Sequence, residues 1–275
     1  MKLTDHTDQY TRPFLRWAGG KGWLLKYLKN IKSGKFNNYH EVFLGGAATY
    51  FYLQPKGHSY LSDLNGELIE TYQSIRDDAD SVIKKLGTFA NTKDDYYKIR
   101  STVFDSPSER AARFIYLNQT SFNGIYRVNL KGIYNVPFGF RNKNFLDKES
   151  LLQAQKALRN TSLAQADFYD VTKNVKPGDL VFLDPPYTVS HNLNGFIKYN
   201  EKIFSLDDQI RLGKLIDELK SMGAYYILTN AAHKTIEEIF NKGDRQFEFQ
   251  RASLIGGINS QRGQTSEFVF TNADL

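Results

Sequence analysis

Residues 180–183, Leu-Val-Phe-Leu, are a continuous apolar run that stops at Asp184-Pro185-Pro186. Proline has no N–H to give to a sheet ladder, so a strand that reaches this point must end there. Beyond the prolines, helix and strand signals alternate. Residues 205–223 carry helical periodicity with Ser205 as the N-cap, 224–230 form another apolar strand, and 234–243 form a second helix. Residues 245–255 and 266–272 then alternate like antiparallel strands. This strand–helix order predicts the α/β class: a parallel sheet with helices on both faces, closed by an antiparallel pair.

The N-terminal part repeats the theme. Residues 37–57 read as strand, Gly-Gly turn and helix, and 58–75 as strand, acidic turn and helix. The stretch 72–160 is different. It holds polar helices at 109–119 and 148–160, and the Gly- and Asn-punctuated segment TSFNGIYRVNLKGIYNVPFG (120–139). That segment reads as a β-hairpin, about 120–140, with Lys131-Gly132 near its turn. The expectation is one α/β domain built from 1–71 and 161–275, with 72–160 inserted.

Composition narrows the chemistry. The 275-residue chain has no cysteine, which excludes disulfides, thiolate metal sites and a cysteine nucleophile. Its five histidines (His6, His40, His58, His191 and His233) show no metal-ligand spacing, so no metal is expected. No apolar run approaches 18 residues and no leader pattern opens the chain, so the reading is no membrane partner and a cytoplasmic location. The net charge of +6 is compatible with a polyanionic partner.

Two constellations carry chemistry. Gly45 lies between a strand and a helix, and Asp63 follows eighteen residues later at the end of the next strand. Glycines there allow close approach of a ligand, and an acid there can bind ribose hydroxyls. Helix capping is the competing role for Asp63. Nicotinamide dinucleotide and S-adenosylmethionine both fit this pattern, although the full G-x-G-x-x-G spacing is missing. The second constellation is Asp184-Pro185-Pro186-Tyr187. The Asp184 carboxylate and the Pro185 carbonyl can accept the hydrogens of a planar amine, while Tyr187 offers a face for stacking. This suits methyl transfer to an aromatic amine without a covalent intermediate.

Five segments in order, FLRWAGGKGWLLKYL (14–28), EVFLGGAATYFYL (41–53), LSDLN (61–65), FNGIYRVNLKGIYNVPFG (122–139) and LDPPY (183–187), resemble the motifs of the Dam-type DNA adenine methyltransferases. These are the D12 class, or α-group, of amino-methyltransferases. The resemblance implies a Rossmann-like S-adenosylmethionine-dependent sheet with an inserted, mostly helical target-recognition domain carrying a hairpin. It further implies that Trp17, Lys21, Gly45, Asp63 and Asp184 hold S-adenosylmethionine, with Asp167 and Phe168 of QADFYDV near its adenine. Phe122 is implied as a wedge beside a flipped adenine, Arg127 as a guanine reader, Ile125 and Pro137 as thymine contacts, and Asn123 as a base or backbone contact.

The implied partner is double-stranded DNA at a short palindrome, with GATC the best single reading, together with a companion restriction endonuclease and a monomer or weak dimer. The chain departs from the family pattern at Val42, Ala47, Gln119 and Ile125. The competing readings are a methyltransferase acting on RNA or protein glutamine, a catalytically silent DNA-binding relative and, more distantly, a nicotinamide oxidoreductase.

Overall fold

The computed structural model describes residues 11–32, 35–129, 131–140, 144–187, 204–252 and 264–274. His6, His191 and the distal part of the 245–255 strand reading fall outside the described residues. Seven strands form one mixed sheet: β1 (Tyr39–Glu41), β2 (Ser59–Asp63), β3 (Thr161–Gln165), β4 (Leu180–Leu183), β5 (Tyr225–Ala231), β6 (Arg245–Ala252) and β7 (Gln264–Thr271), in the order β3-β2-β1-β4-β5-β7-β6. Pairings β1–β2, β1–β4 and β4–β5 are parallel, whereas β7 runs antiparallel to both β5 and β6. The α/β class read from the sequence is therefore the fold observed.

The helices are α1 (Lys29–Lys32), α2 (Ala48–Leu53), α3 (Gly66–Leu86), α4 (Lys93–Ser101), α5 (Pro107–Thr120), α6 (Lys148–Leu158), α7 (Leu206–Ser221) and α8 (Lys234–Phe240). Their starts follow their caps. Ser205 accepts the Asp208 N–H and Asp208 accepts the Ser205 N–H, a reciprocal capping box at the head of α7. Pro107 takes the first position of α5, behind a capping Ser106.

By contacts the chain divides into two compact units: residues 1–32, 44–55 and 63–165, and residues 33–43, 56–62 and 166–275. In the second unit, one sheet face packs on α7 and α8. Val181, Leu183, Tyr226, Leu228, Phe268 and Phe270 meet Leu212, Leu215, Leu219, Ile236 and Phe240, and all are buried. Val42, one of the departures from the family pattern, lies in this same core. The period of two in these strands sends their other residues, including Phe182, Ile227, Thr229 and Val269, to the opposite face.

The expected hairpin at 120–140 takes a looser form. Its antiparallel pairing consists of two isolated bridges, Ser121↔Phe138 and Val128↔Tyr134, in place of continuous strands. The physical reason lies in its punctuation. Asn123 (φ 56°) and Gly124 (φ 63°) sit in the left-handed region and break the first arm. The turn itself forms as read: the Gly132 N–H donates to the Asn129 carbonyl, the Asn129 N–H donates to the Ile133 carbonyl, and Gly132 takes φ 74°.

Candidate active site

The first unit holds the glycine turn. Gly45 adopts φ 46°, and a Cβ there would lie 2.7 Å from Trp17 Cδ1, so only glycine fits. The Gly45 N–H donates to Asp63 Oδ2 at 3.0 Å and the Asn65 N–H donates to Oδ1 at 3.0 Å. The eighteen-residue spacing is thus a hydrogen bond. Tyr72 completes the turn by donating its hydroxyl to the Gly45 carbonyl at 3.0 Å. The competing capping role belongs to a neighbour: Asn65 is the N-cap of α3, accepting the Leu68 N–H. Ala47, another departure from the family pattern, takes φ 54° at the head of α2 without strain relief from glycine.

Burial pushes the Asp63 carboxyl above its ordinary value, and the backbone donors at Gly45 and Asn65 oppose that rise. A carboxylate offers about four lone-pair positions, and the backbone N–H groups of Gly45, Asn65 and Leu64 take up part of them. Further hydroxyl donors would relieve the desolvation of Asp63, so the residue fits a ribose diol. Lys21 is only 3 % exposed and donates to the Gly19 carbonyl at 2.6 Å. The half-buried Trp17 ring stacks on Tyr126 (centroids 5.6 Å, 22°) and lies near-parallel to Phe114 (6.5 Å, 21°).

Of the implied DNA-reading residues, Phe122, Asn123, Arg127 and Pro137 are exposed and Ile125 is half-buried. The loop under them is held firmly. Arg16 donates to the Asn123 carbonyl at 2.6 Å, and its guanidinium occupies the space a Gly124 Cβ would need. The buried Tyr134 hydroxyl donates to the Ile125 carbonyl at 3.0 Å, and both Tyr96 and Arg100 donate to the Val136 carbonyl. Arg127 Nε donates to Asn135 Oδ1 at 2.8 Å, which extends its side chain along the loop. Gln119, another departure from the family pattern, donates to the Phe14 carbonyl at 2.7 Å.

The second unit carries Asp184. Leu183 pairs with Leu228, so the next residue beyond β4 falls beside Thr229. The Thr229 hydroxyl accordingly donates to Asp184 Oδ1 at 2.7 Å. Pro185 is buried, and Tyr187 reaches back to the sheet, donating its hydroxyl to Glu267 Oε2 on β7 at 2.7 Å. Burial, together with the neighbouring Asp184 and Glu267 charges, raises the Tyr187 phenol well above its ordinary value.

Asp167 and Phe168 come out differently from each other. Asp167 accepts the Tyr169 N–H and pairs with Arg211 at 2.9 Å. Phe168 is 3 % exposed, packed between Phe43 (5.5 Å) and Phe204 (5.7 Å), with the Arg211 guanidinium 4.7 Å over its ring. Sequence reasoning missed Thr229, Glu267, Tyr126 and Arg211. The first two adjoin the apolar part of their strands, Thr229 after Ile227 and Leu228 and Glu267 before Phe268, Val269 and Phe270, at positions the fold buries. Among the described residues no group of three or more His, Asp or Glu is arranged to hold a metal ion.

The comparisons with known proteins agree among themselves. The family model for D12 class N6 adenine-specific DNA methyltransferases matches residues 17–253. The type II methyltransferase M1.LlaDCHI of Lactococcus lactis subsp. cremoris is 34 % identical, covering 99 % of this chain and 99 % of its own length. The type II methyltransferase M.MjaIII of Methanocaldococcus jannaschii is 35 % identical over 80 % of this chain and 84 % of its own. A DNA adenine methylase of Haemophilus influenzae is 30 % identical over 84 % and 83 %. With the Gly45–Asp63 turn and the Asp184–Tyr187 run both formed as described, the chain belongs to the D12 class of N6 adenine-specific DNA methyltransferases.

Proposed function

We propose that this DNA adenine methyltransferase flips an adenine out of a GATC palindrome and methylates its exocyclic amine, with S-adenosylmethionine as donor. The observation that carries the reading is Asp184-Pro185-Pro186-Tyr187 at the end of β4, its carboxylate held by Thr229 and its phenol by Glu267.

The donor supplies an electrophilic methyl group on a sulfonium. Trp17, Lys21, Gly45, Asp63, Asp167, Phe168 and Asp184 are the residues proposed to hold it, Asp63 through ribose hydroxyls. The Asp184 carboxylate and the Pro185 carbonyl are the proposed acceptors for the two amine hydrogens. Those bonds keep the nitrogen lone pair out of ring conjugation and available to the methyl carbon. The amine sheds one proton on gaining its substituent, and the Asp184 carboxylate is the acceptor in reach. Pro185 and Pro186 hold both acceptors without reorganisation, and preorganised acceptors of this kind account for much of enzymatic rate enhancement. The Tyr187 ring is the stacking face for the base.

Phe122, Asn123, Ile125, Arg127 and Pro137 are proposed to contact DNA. Phe122, 44 % exposed, is the wedge that offsets the few kcal/mol of unstacking. Arg127 is the guanine reader, a contact worth about 1–3 kcal/mol. Residues 72–160 are the proposed target-recognition segment, and 1–71 with 161–275 the catalytic part. The names of the two type II relatives support a restriction–modification setting with a companion endonuclease. A cytoplasmic monomer or weak dimer is the proposed working form; no helix among the described residues is long and apolar enough to cross a membrane.

Tritiated S-adenosylmethionine with a GATC duplex, the same duplex carrying GTTC, and an Asp184→Ala control tests the reading. Label on GATC alone, lost in the control, is expected. Label on the GTTC duplex equal to that on GATC would refute the site, and full activity of Asp184→Ala would refute the mechanism.

A further inference from the structure

Glu267 is 2 % exposed, and an acid is almost never buried this far without a partner and a reason. Its position is dictated by the sheet. β7 pairs with β5 so that Ala231 faces Glu267 and Thr229 faces Val269. Directly opposed residues share a face, so Thr229 and Glu267 are diagonal neighbours on one face of the sheet. The register of β4 on β5 brings Asp184 to the same face, away from the core under α7 and α8. Three polar groups of one unit therefore line up where an ordinary strand would bury aliphatic side chains.

Two of those groups act on the Asp184–Tyr187 run directly. Thr229 donates to the Asp184 carboxylate, and Glu267 accepts the Tyr187 hydroxyl, each at 2.7 Å. A tyrosine ring has two side-chain torsions. The rigid Pro185-Pro186 step fixes one end of Tyr187, and Glu267, with Thr229 beside it, holds the hydroxyl at the other. A phenolic O–H lies in the plane of its ring, so a bond directed at Glu267 Oε2 favours the ring orientation that contains that direction. Burial and the neighbouring acids raise the phenol pKa, which favours the protonated hydroxyl as donor to Glu267.

We propose that Glu267 is a positioning residue for methyl transfer, setting the plane of the Tyr187 ring on which the target base rests. The proposal builds on the role assigned to Asp184 and Tyr187 under Proposed function. It predicts an effect on turnover and little on binding, because the ring plane matters most when the amine is aligned with the methyl carbon.

Steady-state kinetics on Glu267→Ala, Glu267→Gln, Tyr187→Phe and the double variant Glu267→Ala/Tyr187→Phe test it, with Asp184→Ala alongside. Glu267→Ala should lower kcat by about tenfold, the size of one lost charge-assisted hydrogen bond, with KM for DNA and for S-adenosylmethionine within about twofold. Glu267→Gln keeps an acceptor oxygen and should recover most of kcat. Tyr187→Phe should fall as far as Glu267→Ala, and the double variant no further. Equal multiplicative losses from Glu267→Ala in both backgrounds would overturn the proposal, as would a rise in KM at unchanged kcat. If Glu267→Ala fails to fold, the comparison of Glu267→Gln with Tyr187→Phe decides: wild-type-like kcat in both overturns it. Full activity of Asp184→Ala would instead sink the underlying reading of the site, a separate failure.

Discussion

A methyl group added at position 45 has nowhere to go. The backbone there is left-handed, which costs an L-residue roughly 1–2 kcal/mol, and Trp17 stands 2.7 Å from where the Cβ would sit. Relief requires either Trp17 to move off its stack with Tyr126 or the Gly45 N–H to leave Asp63. Gly45→Ala is therefore expected to weaken S-adenosylmethionine binding by at least about tenfold while lowering stability by only about 1–3 kcal/mol. Isothermal titration and denaturant unfolding measure the two separately; unchanged affinity in a folded variant would show that the turn does not shape the cofactor site. Asp63 is readable from its spacing to Gly45, but its competitor, capping, can be dismissed only because Asn65 caps α3. Phe168 carries two readings, since an aromatic in a cofactor motif and an aromatic in a core look alike in sequence, and packing between Phe43 and Phe204 is compatible with both.

Between elements, a buried hydrogen-bonded pair joins β1 to the turn before β4, and burial holds the His40 imidazole below its ordinary pKa. His40 pairs with Asp179 at 2.9 Å with both side chains fully buried, and Asp179 also accepts from Asn38 and Lys176. Burial pushes the Asp179 carboxyl up, and the hydrogen bonds from His40, Asn38 and Lys176 more than offset it, holding it below its ordinary value. A depressed folded pKa means that the unfolded chain takes up its proton first. The stabilisation is thus complete at neutral pH and drains away as pH falls through the ordinary carboxylate range and below. Urea unfolding between pH 3 and 7 should show this acid loss, and it should be shallower in Asp179→Asn, whose starting stability is lower. An unchanged pH slope in that variant would assign the acid loss to other groups.

Most elements are legible because strand runs such as 180–183 and helix starts such as Ser205 carry local signals. The loop at 120–140 is less so. Its two arms read as strands, yet Asn123 and Gly124 take left-handed backbone, and the pairing survives only as two bridges. Thr229 and Glu267 are hidden for another reason. Thr229 is followed by Asn230 and Glu267 is preceded by Thr265 and Ser266, so in sequence each reads as the polar end of a strand, and their burial shows only in the folded sheet.

At the scale of the molecule, the chain holds two compact units, with the Gly45–Asp63 turn and the 120–140 loop in one and the Asp184–Tyr187 run in the other. An excess of six positive charges over the whole chain implies attraction to the phosphate backbone whatever the sequence. Affinity for DNA should fall linearly on a log–log plot against salt, and Arg127→Ala should reduce discrimination between GATC and altered sites more than it reduces that slope. Fluorescence anisotropy at several salt concentrations measures both; a loss of slope with intact discrimination would make Arg127 a phosphate contact. The family's order of motifs is visible in the sequence from end to end, since each depends on a few residues adjacent in the chain. The tethers of the Asp184–Tyr187 run are not, because they join positions 45 and 80 residues apart.

The strand order has a consequence for synthesis. β6 leaves the ribosome before β7, yet β7 is the strand that pairs with β5 and with β6. Until residues 264–271 emerge, β6 has no place in the sheet and the flank of β5 stays open. Glu267 arrives with that strand, so the acceptor of the Tyr187 hydroxyl is made 80 residues after the tyrosine it holds. A chain interrupted before it would expose an unpaired strand edge and be open to clearance before it could meet DNA.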